Sequence, residues 1–164
     1  MDIRACTPDD VDDICEIYNH YVENTTITFE ENPVDHNEML KRVESYTQIY
    51  PWYVCEVDGR VIGYAYATKW KERSAYKHSV EVTVYVKHLL TGKGYGKALY
   101  MALLNALYKM NCHLILAGIA LPNDASIKLH ESYGFKKVAH FSDVGRKFDS
   151  WIDVGYWEKR SPNF

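Results

Sequence analysis

The sequence predicts an α/β (α+β) fold, with a central mixed, mostly antiparallel twisted sheet flanked by helices on both faces. The predicted elements follow the order βααβββαβαββ, in which three consecutive strands precede an alternation of helices and strands. Most of the predicted helices carry an apolar stripe, so each can cover one side of a sheet. Of the 164 residues, 47% are hydrophobic and no linker or repeat divides them, so we expect one domain over residues 1–164.

The charge and composition narrow the classes of partner. Lys and Arg number 19 against 22 Asp and Glu, a net charge of −3, and no basic cluster favours nucleic acid or an anionic membrane. No stretch approaches the roughly 20 apolar residues of a membrane-spanning helix, and the first ten residues lack the pattern of a secretory signal. We therefore expect a cytoplasmic protein whose partner is a small molecule or another protein.

The cysteines and histidines do not form a metal-binding motif. The four cysteines are far apart, without a CxxC pair, and are expected to be reduced, buried thiols. The seven histidines are scattered and make no HExxH motif, so no metal is expected. The cysteines are Cys6, Cys15, Cys55 and Cys112.

The first part of the chain predicts a strand at 3–5 followed by two helices. Thr7 is expected to cap the first helix, with Pro8 and two acids in the first turn, as suits a helix N-terminus. The second helix is expected to begin at Asp35, which with Glu38 resembles a capping box. The predicted core-facing residues are Val11, Ile14, Cys15, Tyr18 and Val22 in the first helix, and Leu40 and Val43 in the second.

An antiparallel hairpin and a strictly alternating strand come next. Strands 52–57 and 61–68 flank the turn dipeptide Asp58-Gly59. Residues 79–86 alternate, with valines on one face and Ser, Glu, Thr and Tyr on the other. The remaining predicted elements are a helix from 96 to about 110 with the stripe Leu99, Ala102, Leu103, Ala106 and Leu107, a buried strand 114–121, a helix 124–133, and strands near 138 and at 151–157.

A glycine-rich turn, TGKGYGK at residues 91–97, lies between the alternating strand and the long helix. Glycines there let backbone N–H groups turn toward an anion at the helix N-terminus, which suits a phosphate group. The turn is one residue shorter than the Walker loop, has Ala98 where that loop needs a hydroxyl, and lacks the third glycine of the dinucleotide fingerprint. The alternative is a tight strand-to-helix turn without a ligand.

Polar residues on either side of this turn are candidates for catalysis. Glu81 lies mid-strand, where burial would raise its pKa and suit it to act as a general base near neutral pH. Asn123, Ser126 and His130 are spaced i, i+3 and i+7, which places them on one helical face. The alternatives are a solvent-facing glutamate and a structural helix face.

Together these segments resemble the GNAT acetyltransferases, and the resemblance implies the GNAT fold. The strand, glycine turn and helix are similar to that superfamily's pyrophosphate-binding motif, Q/R-x-x-G-x-G/A, and NDASIKLHESYGF at 123–135 is similar to its second acetyl-CoA motif. Two positions depart from the pattern. Thr91 replaces the usual Gln or Arg, which removes one side-chain contact, and His130 replaces the tyrosine that commonly protonates the departing thiolate.

Four separated segments resemble the phosphinothricin N-acetyltransferase family, in that family's order. They are IYNHYVENTTITFEENP (17–33), WKERSAYKHSVEVTVYV (70–86), ALPNDASIKLHESYGF (120–135) and GRKFDSWIDVGYW (145–157). The resemblance implies that acetyl-CoA and a small amino acid such as phosphinothricin or methionine sulfoximine bind together. It also implies that the free amine attacks the thioester without an acyl-enzyme, that acetylation gives herbicide resistance, and that the protein forms a homodimer.

The same resemblance assigns catalytic and cofactor-binding residues. Glu81 matches the proposed general base, and His130 matches a histidine near the thiolate, as general acid or accessory proton carrier. Backbone N–H groups after Tyr85 would polarise the thioester carbonyl, and the glycine turn would hold the pyrophosphate. The implied acetyl-CoA-binding residues are Val84, Tyr85, Val86, Gly92, Lys93, Gly94, Tyr95, Gly96, Lys97, Asn123 and Ser126.

Five further residues match the family's substrate-binding positions. Lys71, Arg73 and Tyr76 match residues that bind the carboxylate and phosphinate-type oxygens, and the planar guanidinium can pair two oxygens at once. Phe29 and Thr83 match positions that line the same pocket. Arg146 and Lys147 are expected in a surface turn between the last two strands.

Other functions remain open at this point. A GNAT enzyme could acetylate a protein N-terminus or a polyamine, although a polyamine site would need clustered acids and residues 71–77 are mainly basic. The non-enzyme alternative is a protein that binds acetyl-CoA as a sensor or structural ligand. The presence of Glu81 and His130 favours an enzyme, and turnover would decide.

Overall fold

The computed structural model describes residues 1–163 and has the order of strands and helices that the sequence predicts. The strands are β1 (Asp2–Ala5), β2 (Trp52–Val57), β3 (Arg60–Lys69), β4 (Ser79–Val86), β5 (Leu114–Ala120), β6 (Lys136–Lys147) and β7 (Ser150–Arg160). The helices are α1 (Val11–Asn24), α2 (His36–Thr47), α3 (Tyr95–Tyr108) and α4 (Asp124–Ser132), with short 3-10 turns at Pro8–Asp10, Ser74–Tyr76 and His88–Leu90.

The seven strands form one mixed sheet in the order β1-β2-β3-β4-β5-β7-β6. Neighbouring strands are antiparallel except β4 and β5, which are parallel. The predicted mixed, mostly antiparallel sheet is therefore confirmed. The final hairpin folds back so that β7, and not β6, pairs with β5.

Helices cover both faces of the sheet. Helices α1 and α2 bury Ile14, Ile17 and Val43 against aromatic and aliphatic side chains of β2 and β3. On the other face, α3 buries Leu99 and Leu103 in a second core. Each of these three helices is therefore stabilised by burial of one apolar stripe. The two faces of the sheet carry two separate hydrophobic cores.

Local capping explains where the first two helices begin. Asp10 accepts hydrogen bonds from the Thr7 backbone (2.8 Å) and from the Arg4 guanidinium (2.7 and 2.8 Å) before α1. The Asp35 side chain accepts from the Glu38 N–H at 2.8 Å, as the capping pattern predicts.

The predicted stripe of α2 is partly wrong, and so is the expectation that all four thiols are buried. Met39 is buried with Val43, whereas Leu40 is only partly buried, because α2 presents its i and i+4 positions to α1 and the sheet. All four cysteines are free thiols, but only Cys55 and Cys112 are buried. None of the helices in the described residues is long and apolar enough to cross a membrane.

The parallel strands β4 and β5 separate part-way along their length. They pair from Ser79 with Leu114 to Glu81 with Leu116, and β4 then continues to Val86 and β5 to Ala120 without further pairing in the described register. The two strands therefore form a V-shaped opening with Glu81 at its apex. The unpaired N–H and C=O groups along such strand edges can form hydrogen bonds with polar groups of a ligand.

Candidate functional site

A cavity of about 520 Å³ opens beside the separating strands. We call it the Glu81 cavity, because Glu81 is the one charged side chain among the described residues that line it. Its walls come from four parts of the chain, and most of them are apolar. The lining residues are Ile27, Thr28 and Phe29 after α1, Glu81 and Tyr85 on β4, Gly118 and Ala120 on β5, and Phe141, Val144, Val154 and Tyr156 on the final hairpin.

Glu81 has the environment of a general base. Its side chain is partly buried, and this desolvation raises the pKa of the carboxyl above its usual value, while a hydrogen bond from the Gly118 backbone opposes the rise. A raised pKa brings the carboxylate closer to the basicity needed to accept a proton from an ammonium group. The alternating pattern of 79–86 correctly predicted that Glu81 is set apart from the valine core.

Gly118 and Tyr156 were not found from the sequence. An ideal Cβ at position 118 would lie 3.1 Å from Glu81 Oε1 and 3.2 Å from Tyr156 Cζ, so only glycine lets both side chains approach the strand. The one available signal was a glycine inside the apolar strand LILAGIA, since an interior strand glycine often marks close approach of another group.

The segment before α2 forms one wall of the cavity. Phe29, predicted to line the substrate pocket, is 40% exposed and lines the same cavity as Glu81. Its ring lies on the backbone of Gly145, where a Cβ would meet Phe29 Cε2 at 2.2 Å. Phe29 therefore depends on the final hairpin for its position.

The expectation that Lys147 lies in a surface turn is wrong. Its side chain is buried, with 2% exposure, and its ammonium donates to the Val22 carbonyl at 2.6 Å and the Thr28 carbonyl at 2.9 Å. Arg146 is exposed, as expected, and pairs with Asp149, but it lies in strand β6 opposite Trp151 and not in a turn. The two neighbours alternate in direction because they lie in the extended strand β6.

The glycine turn has the geometry of an anion site. Gly92 and Gly94 have φ values of +77° and +90°, in the left-handed region, and Gly94 is the N-cap of α3. A Cβ at either position would meet nothing within 4 Å, so open space adjoins the backbone there. The Tyr133 hydroxyl donates to the Lys97 carbonyl at 2.6 Å and thereby fixes the first turn of α3. The helix N-terminus and free backbone fit a pyrophosphate.

His130 is buried in the core between α3 and α4, away from the lining of the Glu81 cavity. It is 3% exposed, and burial lowers the pKa of the imidazole, with an opposing hydrogen bond to Ser126. Nδ1 lies 2.7 Å from the Ser126 carbonyl, which can only accept, so the neutral ring accepts the Tyr100 hydroxyl at Nε2 over 2.6 Å. The Asn123 side chain caps α4 by accepting from the Ser126 N–H at 3.1 Å.

The predicted anion-binding residues lie outside the Glu81 cavity of the same chain. Lys71 and Arg73 are exposed in the connection between β3 and β4, and Lys71 Nζ lies 4.7 Å from the Trp70 ring centroid. Tyr76 packs edge-on against Trp70. Thr83 pairs with Tyr66 across β3 and β4 and does not line the cavity. Within one chain, therefore, Phe29 lines the same cavity as Glu81, and the other four predicted substrate-binding residues do not.

The family follows from comparison with known proteins. A sequence profile described as "Acetyltransferase (GNAT) domain" matches residues 3–155. The chain belongs to the GNAT acetyltransferase family. The expected superfamily and the fold that it implies are therefore confirmed, and the opening between β4 and β5 is part of a GNAT domain.

This GNAT chain is similar to curated enzymes over nearly its whole length. It is 40% identical to the phosphinothricin N-acetyltransferase of Streptomyces viridochromogenes, with 97% of this chain and 87% of that protein covered. It is 36% identical to the L-methionine sulfoximine/L-methionine sulfone acetyltransferase of Salmonella typhimurium, covering 96% and 93%. A crystal structure of a phosphinothricin acetyltransferase from Sinorhizobium meliloti in complex with AcCoA has a TM-score of 0.95 and 33% identity, covering 98% and 88%.

Proposed function

We propose that this GNAT chain transfers the acetyl group of acetyl-CoA to the free amine of phosphinothricin, methionine sulfoximine or a similar small amino acid. The observation that carries the proposal is Glu81, a carboxylate of raised pKa at the apex of the β4–β5 opening and in the wall of a cavity of about 520 Å³. A cavity of this size suits a small molecule. The names of the similar enzymes support the choice of acceptor.

The chain has groups that fit acetyl-CoA, which supplies an activated acetyl thioester. The glycine turn, with left-handed Gly92 and Gly94 at the start of α3, would hold the pyrophosphate through backbone N–H groups. The edge of β4 from Val84 to Val86, which β5 does not pair, would hold the pantetheine arm, and its backbone N–H groups would polarise the thioester carbonyl. The Val86 carbonyl itself accepts from the Tyr21 hydroxyl at 2.5 Å. Lys93 lies within the turn, Tyr95, Gly96 and Lys97 form the first turn of α3, and Asn123 and Ser126 lie at the start of α4.

Glu81 would accept a proton from the substrate ammonium, directly or through water, and so free the amine lone pair. The apolar walls would exclude water from the carboxylate and keep its pKa high. The freed amine would attack the acetyl carbonyl, so that the amide C–N bond forms as the thioester C–S bond breaks, and the departing CoA thiolate would take up a proton from the amine nitrogen. We assign His130 the role of an accessory carrier of this proton, because Tyr100 and Ser126 engage both of its ring nitrogens. The amine would attack the thioester directly, without an acyl-cysteine intermediate.

We further propose that the enzyme acts as a homodimer in the cytoplasm. The lining of the Glu81 cavity has no cation among the described residues, yet an amino acid acceptor has a carboxylate. Lys71 and Arg73 are exposed elsewhere on the chain and could serve this carboxylate from a second copy. Exposed apolar side chains on the final hairpin, Phe141, Val144, Phe148 and Trp151, would be covered by such a contact.

A panel assay of free thiol release from acetyl-CoA tests the proposed function. We expect turnover with phosphinothricin, methionine sulfoximine or methionine sulfone, and little with ordinary amino acids, polyamines or peptides. Faster turnover of peptides or polyamines would show that the acceptor is not an amino acid of this type. Acetyl-CoA binding without turnover of any amine would show that the chain is a non-catalytic binding protein. Resistance of cells that express the chain to phosphinothricin would then test the herbicide role.

A further inference from the structure

Lys147 is a cation that is buried, with 2% exposure, next to the segment that lines the Glu81 cavity. It donates to two backbone carbonyls, and among the described residues no carboxylate lies within ion-pair distance of it. The Phe148 ring centroid lies 5.0 Å from its ammonium. Val22 is in the last turn of α1, where the helix dipole favours a positive charge. Burial lowers the pKa of Lys147, and the charges of Glu31 and Glu30, which lie beyond ion-pair distance, oppose this shift. The direct contacts of the ammonium are therefore with backbone carbonyls, and these two carboxylates act on it only from a distance.

One of the two carbonyls belongs to α1 and the other to the segment that follows α1 along the cavity wall. Val22 lies in the last turn of α1, and Thr28 lies in residues 25–30, which we call the wall segment. The Thr28 hydroxyl also bonds the Tyr18 hydroxyl at 2.8 Å, so Thr28 is held from the Lys147 side and from the α1 side. The next residue is Phe29, which faces the cavity.

The final hairpin holds the wall segment at a second point. The Phe29 ring occupies the space that a side chain at Gly145 would need, and Gly145 is two residues before Lys147 on β6. Residues two apart on a strand point to the same face. The final hairpin therefore contacts the wall segment at two positions. At Gly145 the Phe29 ring packs on the backbone, and at position 147 the buried ammonium donates to the Thr28 carbonyl.

A buried cation is a costly way to stabilise a fold, because an apolar side chain of similar size avoids the desolvation. Charged groups in such places can specify one geometry over others. Here the geometry at issue is the path of the wall segment, whose carbonyls accept from Lys147. The only large aromatic side chain that the wall segment adds to the cavity is Phe29.

We propose that Lys147 is a positioning residue for the acceptor amino acid: by holding the wall segment it sets the position of Phe29 and thus which acceptor side chains fit beside Glu81. The inference rests on the proposed function for its substrate class. Lys147 touches no acceptor in this arrangement and acts through Thr28 and Phe29.

Lys147→Met tests the proposal, because methionine keeps the length and apolar stem but removes all donors. We expect KM for the accepted amino acids to rise about tenfold or more, as for a misplaced binding group, with kcat and the acetyl-CoA Kd nearly unchanged. Discrimination against amino acids with larger side chains should fall. Lys136→Met, an exposed lysine at the start of the same strand, is the matched control and should behave as wild type.

Gly145→Ala perturbs the wall segment at its other contact with the final hairpin. It tests the proposal independently if Lys147→Met does not fold. Its added Cβ must displace the Phe29 ring, so it should raise the acceptor KM and relax selectivity in the same direction. A variant that folds and keeps wild-type KM and selectivity would overturn the proposal.

Amide hydrogen exchange without substrate separates this inference from the proposed function. Lys147→Met should speed exchange in residues 25–30 severalfold and leave β4 and α3 unchanged. If the wild type turns over no amino acid, the proposed function fails, while this measurement still tests the hold on the wall segment. Unchanged exchange in residues 25–30 would contradict the inference even in an active enzyme.

Discussion

Glu81 and Gly118 face each other where β4 and β5 separate: a Cβ on Gly118 would lie 3.1 Å from Glu81 Oε1. The missing side chain leaves room for the carboxylate, and the Gly118 backbone donates a hydrogen bond to it. The proposed base is thus oriented by a strand that is far away in sequence and parallel in space.

Gly118→Ala should lower kcat by displacing the Glu81 carboxylate and the Tyr156 ring from their close approach. We expect a loss of about ten- to a hundredfold, the scale of a small misplacement at a reacting centre. Steady-state kinetics with a folded variant provide the measurement, and acetyl-CoA binding by calorimetry should be nearly unaffected. Wild-type kcat in this variant would show that the close approach has no role in turnover.

Glu81→Gln should reduce turnover by about 10²-fold or more, the usual scale of general-base catalysis. Because desolvation raises the pKa of Glu81, wild-type kcat/KM should fall as pH drops through a value above the usual glutamate pKa of about 4.3. The variant should lose this acid limb. Glu23→Gln, on the exposed surface of α1, is the control, and a pH–rate profile of Glu81→Gln identical to wild type would reject Glu81 as the base.

Gly94→Val should weaken acetyl-CoA binding severely, because valine at φ +90° is strained and its side chain would fill the open space beside the turn. Gly59→Val is a matched control, since Gly59 has φ +76° in the exposed β2–β3 turn. Both variants should lose stability by about 1–3 kcal/mol, but only Gly94→Val should lose cofactor affinity. Calorimetry that finds equal affinities would exclude the turn as the pyrophosphate site.

Arg73→Ala should raise KM for phosphinothricin-like acceptors by more than about tenfold, in line with about 1.5–3 kcal/mol for a hydrogen bond to a charged group. Acetyl-CoA affinity should hardly change. Arg60→Ala, an exposed arginine at the start of β3, is the control. Sedimentation of the wild type checks the proposed homodimer, and an unchanged acceptor KM in Arg73→Ala would remove Arg73 from the acceptor site.

The acid stability of the fold should depend on Glu30. Hydrogen bonds from Arg42 at 2.7 and 3.0 Å hold the pKa of Glu30 below its usual value, against the opposing effect of burial, and the Tyr18 hydroxyl also donates to this carboxylate. A lowered folded-state pKa contributes stability above the unfolded value of about 4.3, and this contribution is lost as pH falls through the folded-state value.

Urea unfolding from neutral to acid pH measures this effect. Glu30→Gln should be less stable than wild type at neutral pH, and the difference should shrink in acid. Glu44→Gln, an exposed residue of α2, should match wild type throughout. A difference between Glu30→Gln and wild type that does not vary with pH would mean that the charge of Glu30 contributes nothing.

Local chemistry determined the order of elements, both helix caps in the first third of the chain, the left-handed glycine turn and the set-apart Glu81. Each depends on residues close in sequence: a period of two or about 3.6, a capping side chain or a glycine that allows positive φ. The resemblance of four segments indicated the family before any contact was known. These features can be predicted from the sequence because they depend on short segments and not on how distant segments pack.

The tertiary structure alone decided which distant residues meet at Glu81. The pairing of β7 with β5 brings Tyr156 beside Gly118, and burial of Lys147 places a cation where the pattern predicted a surface turn. The burial of Met39 rather than Leu40 depends likewise on how α2 docks. Strand order, the point at which parallel strands separate and the direction of a buried ammonium are set by long-range packing, which no local period encodes.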